Sequence, residues 1–169
     1  QPRHWIAEHE VTKRAAAVGW KREWLFVWRQ VANSKVERTV TLCAIPFSAV
    51  GNTCQILFSP RDPLLLATLL ANFNSLILDY CARQIVGGTH LTFGLVQQLP
   101  VISPDFYTPD RLAFVTPKVL ELTYTSHSLA PFARDLGHDG PPFTWDEDRR
   151  AHLRADLDAF YARAYGLTR

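Results

Sequence analysis

The sequence predicts an α+β fold in which a small, mostly antiparallel sheet packs against a long buried helix and leads into a helical C-terminal portion. Three observations carry this reading. Short runs rich in aromatic and β-branched residues recur between Trp24 and Phe58. An unbroken apolar run then follows Asp62-Pro63, and the last twenty-odd residues show helical spacing between acidic and glycine end signals.

In chain order, residues 7–17 have a helical composition that stops at Gly19, with Trp5, Trp20 and Trp24 around it. Three strands are expected at Trp24 to Val31, Thr39 to Ile45 and Cys54 to Phe58. The connections, Asn33-Ser34-Lys35 and Ser48 to Thr53, are short and turn-like, which favours antiparallel neighbours. Asp62-Pro63 joins an N-cap residue to proline at the first helical position, predicting one helix from 63 to 85 that ends before Gly87-Gly88. Its length suits a membrane span, but Asn72, Asn74, Asp79, Arg83 and Gln84 would be costly in lipid, so it is read as a core helix.

Thr89 to Pro100 reads as a loop with a short helix or strand, leaving through an X-Pro exit. Thr108-Pro109 and Thr116-Pro117 each resemble helix starts, and Ala130 to Leu136 ends at Gly137. Asp146-Glu147-Asp148 places carboxylates where a helix dipole favours them, predicting a helix over 146–165 closed by Gly166. Its apolar stripe is Leu153, Leu157, Phe160, Tyr161 and Ala164; Arg149, Arg150, Arg154, Asp156, Asp158 and Arg163 cover the rest. The chain divides into a leading segment 1–23, a sheet-plus-helix unit 24–104 and a helical subdomain 105–169.

The 169 residues are 47% hydrophobic and 20% charged, a globular composition that excludes disorder. Their net charge of +2 excludes the strongly basic class of small nucleic-acid binders. Distribution matters more: residues 1–90 hold ten cations against six carboxylates, whereas 91–169 hold eight against ten. Fourteen of the eighteen cations are arginine, whose planar fork suits phosphate and guanine. The chain starts at Gln1 and contains no methionine, so it is expected to be a C-terminal piece of a longer protein. Cys43, Cys54 and Cys81 match no zinc or redox spacing and sit in apolar runs, which predicts buried free thiols in a reducing cytoplasm.

Catalytic constellations are missing from the sequence. The six histidines include no i, i+4 pair, no serine has the Gly-x-Ser-x-Gly flanks, and the eight glycines form no nucleotide-binding loop. A binding surface remains. Arg29, Lys35 and Arg38 lie in and around the first strand, turn and strand, while Arg83 and Gln84 precede the Gly-Gly loop that bears Thr89 and His90. Such cations, amides and hydroxyls can neutralise phosphates and read base edges, although a solvated face with ordinary ion pairs has the same composition.

Several strings resemble the C-terminal region of large type II (type IIG-like) restriction-modification adenine DNA methylases. They are Trp24-Leu-Phe-Val-Trp-Arg29, Glu37-Arg38-Thr39, Leu70-Ala-Asn-Phe-Asn74-Ser75, Asp79-Tyr80, Arg83-Gln84, Val86-Gly-Gly-Thr89 and Gln98-Leu99-Pro100. The tail is more specific: Leu129-Ala-Pro-Phe-Ala-Arg-Asp-Leu-Gly137, Asp139-Gly-Pro-Pro-Phe143, Trp145-Asp-Glu and Arg149-Arg150. The likeness covers residues 20–169 and implies a target-recognition domain that reads double-stranded DNA beside an upstream methylase domain of the same parent chain. It adds Thr39 to the expected DNA-binding set of Arg29, Lys35, Arg38, Arg83, Gln84, Thr89 and His90. His90 departs from the family, which often has asparagine after Gly-Gly-Thr.

The family's catalytic Asn-Pro-Pro-Tyr and its glycine-rich S-adenosylmethionine loop do not occur here. The resemblance therefore implies a non-catalytic piece without a cofactor of its own, S-adenosylmethionine belonging to the parent's missing domain. Some members of the family also carry an endonuclease domain. A module that only braces the methylase core, or docks a partner protein, is the alternative expectation.

Overall fold

The computed structural model describes residues 6–33 and 35–167; Trp5 and Ser34, named above beside the leading helix and in the first turn, lie outside them. The fold is α+β. Helix α1 (Glu8–Ala17) stops at Gly19, which adopts φ +73°. Strands β1 (Trp24–Arg29), β2 (Leu42–Pro46) and β3 (Cys54–Leu57) form an antiparallel sheet in the order β2-β1-β3, with Val27 opposite both Cys43 and Ile56.

The first two strands are shorter than their sequence runs because other partners take the ends. Beyond Arg29, the backbone of Gln30 and Ala32 bonds to residues 89–91, and ahead of β2 the Val40 N–H is taken by Asp79. Trp24 to Trp28 are all buried, as expected for a central strand covered on both faces. On one face, Trp24 and Phe26 meet Phe132 at ring distances of 5.0 and 6.1 Å, and Trp28 meets Phe93 at 4.6 Å. On the other, Val11 and Ala15 of α1 line a cleft with Leu25, Ile56 and Phe58.

The expected single helix over 63–85 is two helices, α2 (Pro63–Phe73) and α3 (Leu76–Ile85), bent by 61°. Asn74 and Ser75 cause the break. The Asn74 side chain accepts from the Leu42 N–H at 3.3 Å and donates to the Leu42 carbonyl at 2.8 Å, so it is committed to the edge of β2. Ser75 Oγ caps α3 by accepting from Leu78 N at 3.3 Å. Both residue types favour such side-chain-to-backbone bonds over a helix interior. Among the described residues no single helix is long and apolar enough to cross a membrane; α2 and α3 pass that test together, across their bend.

After a short α4 (Phe93–Val96) comes α5 (Pro109–Thr123), which corrects a second expectation: Thr116-Pro117 does not start a helix but lies within one. Pro117 and Ala113, whose carbonyl loses its N–H partner, are both on the exposed side, where water can serve that carbonyl. Helix α6 (Ala130–Asp135) ends at Gly137 with φ +82°. Among the described residues no atom lies within 4 Å of where a Cβ would sit, so Gly137→Ala is expected to cost about 1–2 kcal/mol through the backbone alone, measurable by urea unfolding.

Helix α7 (Glu147–Ala164) begins where Asp146 accepts from Arg149 N at 2.9 Å. It buries Leu153, Leu157 and Tyr161. α2 packs on α5 and α5 on α7, and one hydrophobic core joins Ala15, Trp24, Phe132 and Tyr161. The cysteines are free, but the expectation of burial fails: Cys43 and Cys54 are exposed and Cys81 is half-buried. Cys43 lies on an edge strand and Cys54 at the start of another, so being in an apolar run did not imply cover.

Tyrosines tie α7 to the loop that follows α4. The Tyr161 hydroxyl donates to the Thr68 carbonyl at 2.7 Å and lies 3.2 Å from the Tyr107 hydroxyl. Tyr165 donates to the Pro100 carbonyl at 2.7 Å and accepts from Asn72 Nδ2 at 2.9 Å. Burial pushes the Tyr161 phenol well above its usual range and Tyr165 up to about 12. The folded chain thus keeps protons that the unfolded chain releases near pH 10, so this stabilisation is complete below about pH 10 and is lost as pH rises beyond it. Melting temperature should fall across that alkaline range, and less steeply in Tyr161→Phe than in the unsubstituted chain.

Candidate nucleic-acid interface

One end of the sheet gathers the residues singled out from the sequence. Where β1 ends, Leu91 N donates to the Gln30 carbonyl at 2.7 Å and Ala32 N to the Thr89 carbonyl at 2.9 Å, around a bridge between Val31 and His90. The Gly-Gly-Thr-His loop is thereby held beside the connection from β1 to β2. Glycines 87 and 88 lie between α3 and this position, and both are exposed.

The connection is fixed from within. Lys35 N donates to Asn33 Oδ1 at 2.8 Å, and the Thr39 hydroxyl to the Asn33 carbonyl at 3.3 Å. Arg29 Nη2 donates to the Arg38 carbonyl at 2.8 Å, tying strand to returning turn. From α3, Arg83 donates through Nε to Asp79 at 2.9 Å and through Nη2 to the carbonyls of Val36, at 2.8 Å, and Glu37. Asp79 is only 3% exposed and accepts from Val40 N at 2.8 Å with its other oxygen. Together they clamp the turn onto the helix.

The eight expected residues therefore occupy one region but do different work. Arg29, Lys35, Gln84, Thr89 and His90 are exposed, and Arg38 is half-buried. Thr89 Oγ1 lies 2.9 Å from His90 Nδ1, and Gln84 donates to the Tyr80 carbonyl at 3.4 Å. Thr39 is fully buried, so its side chain lies under the surface, and Arg83 directs its guanidinium at the turn. Residues 29–42 and 79–90 carry four cations against two carboxylates, Glu37 and Asp79. Asp79 faces Arg83, which leaves Arg29, Lys35 and Arg38 against Glu37.

Asp79 and Asn74 were missing from the expected set. The i, i+4 spacing of Asp79 and Arg83 on a helix was a usable signal for the first. For Asn74 no local signal exists, because its partner Leu42 is 32 residues away. Among the described residues no group of three or more His, Cys, Asp or Glu side chains could hold a metal ion. No family model, curated protein or solved structure matches this chain.

Proposed function

We propose that this chain is a DNA target-recognition domain of a restriction-modification adenine methyltransferase, non-catalytic by itself and acting beside an upstream methylase domain that uses S-adenosylmethionine. The observation that carries the reading is the exposed set of Arg29 at the end of β1, Gln84 on α3, and Lys35, Thr89 and His90 on the connections pinned to that end of the sheet. Cations so placed neutralise phosphates; the amide, hydroxyl and imidazole are suited to base edges. A methylase that extrudes its target base needs a separate surface to hold and read the surrounding duplex. One good bidentate contact, about 1–3 kcal/mol, discriminates a base pair. Three free cysteines fit a reducing cytoplasm.

Fluorescence polarisation with duplex DNA tests the proposal. Affinity should fall with salt, with a slope of about −0.9 per phosphate neutralised, and Lys35→Ala should flatten that slope by about one contact. Gln84→Ala combined with His90→Ala should reduce discrimination between duplex sequences while leaving the slope in place. Unchanged preference in the double variant and unchanged slope in Lys35→Ala would place the recognition surface elsewhere.

A second reading, a module that braces the methylase core or docks a partner protein, draws on the apolar cleft between α1 and the sheet. Ile6 and Phe58, 57% and 39% exposed, stand at that cleft with Val11 and Val50. Polar substitutions at Ile6 and Phe58 that abolish association with a methylase domain, with DNA binding intact, would favour it.

A further inference from the structure

A second positively charged feature adjoins the connection from β1 to β2, in a cleft of about 390 Å³ between the outer edge of β2 and helices α2, α5 and α7. Its floor is apolar, with Leu70 from α2, Val119 from α5 and Leu157 from α7. Its polar lining includes three arginines, Arg38, Arg150 and Arg154, and one carboxylate, Asp158. Arg38 Nη1 and Arg150 Nε are shielded from water, and neither has a hydrogen-bond acceptor among the described residues.

Two buried guanidinium N–H groups without acceptors in one cleft are costly, and such groups in folded proteins point to a bound ion, water or ligand. Asp158 makes no hydrogen bond to either: its Oδ1 accepts from Leu76 N at 2.7 Å, and burial pushes its carboxyl above the usual carboxylate range against the opposing pull of Arg38 and Arg154. Arg154 donates to Glu147 at 3.0 Å and adds like charge beside Arg150, whose pKa is lowered first by burial and then by that neighbour. The Arg150 guanidinium also stacks on the Trp145 ring at 3.7 Å, which fixes its plane.

We propose that this cleft binds a phosphate ester, with Arg38 and Arg150 donating to its oxygens and the apolar floor receiving the organic part. A phosphate offers several oxygens to donors arriving from different elements, and arginine forks match that geometry. The volume lies within the range of about 300–1,000 Å³ typical of small-molecule pockets. The phosphate can come from a free ester or from a DNA backbone. The site shares Arg38 with the expected DNA-binding set, but its first probes contain no DNA, so its failure and that of the DNA-recognition reading are distinguishable.

The test uses the 169-residue chain, with sodium chloride at matched ionic strength as the control. Inorganic phosphate and a mononucleotide should each raise its melting temperature, because a ligand that binds only the folded state stabilises it. Arg38→Gln combined with Arg150→Gln should weaken binding by calorimetry by about tenfold or more. Stabilisation is compared within each variant, between buffers with and without phosphate, because Arg150→Gln also loses the stack on Trp145; either single variant serves if the double one does not fold. Arginine-dependent stabilisation by the mononucleotide assigns the free ester as source. The same dependence seen only with a short duplex assigns the DNA backbone. No stabilisation by any probe, or an equal effect in the glutamine variants, would overturn the proposal.

Discussion

Replacing Asp79 with alanine is expected to destabilise the fold by about 3–5 kcal/mol, the cost of breaking a buried ion pair from one side. Asp79 is 3% exposed and joins α3 to the connection between β1 and β2: it accepts from Val40 N ahead of β2 and holds Arg83, which grips the carbonyls of Val36 and Glu37. Alanine leaves Arg83 and the Val40 N–H without that acceptor. The Arg83 side chain is 29% exposed, so water relieves part of the penalty and the lower end of the range is the better figure. Asp79→Asn should cost less, since its amide oxygen can still accept from Val40. Urea unfolding gives the values, and amide exchange over residues 36–40 should show the turn opening before the rest. A loss below about 1 kcal/mol, the level of an ordinary exposed pair, would contradict the clamp.

How far the fold was legible depends on how local each signal was. Asp62-Pro63, Asp146 and the glycines at 137 and 166 marked helix ends correctly because a cap involves only its own turn. The break at Asn74-Ser75 was hidden by a long apolar run, since the strand edge that engages Asn74 is distant in sequence. Pro117 misled for the opposite reason: a strong local stop signal was tolerated because the carbonyl it orphans faces water. At the candidate surface, the chain gave the residue types that came together, but not that Thr39 would be buried or Arg83 turned inward. Arg150 and Arg154 looked like the solvated side of α7; only tertiary packing shows that both line a cleft with Arg38.

Trp24→Ala is expected to cost a similar amount, about 3–5 kcal/mol, by a different route. Trp24 is fully buried in the central strand, with Trp20, Phe26 and Phe132 around it at ring distances of 5.4, 4.9 and 5.0 Å. Its indole N–H donates to Asp135 Oδ2 at 2.9 Å, an oxygen that Arg22 also reaches at 2.9 Å. Asp135 therefore keeps a partner after the substitution, and the loss is mainly that of packing between strand and α6. Trp24→Phe retains much of the ring volume and should cost clearly less. Trp24 lies five residues from Arg29 along β1, roughly 17 Å at the usual rise of about 3.3 Å per residue. Molecules of Trp24→Ala that remain folded should therefore bind DNA with nearly unchanged affinity and salt slope, whereas Asp79→Ala should weaken binding even where it is folded, because its turn is unclamped. Equal losses of DNA affinity in the two variants, measured well below their melting temperatures, would mean that the clamped turn has no special part in binding.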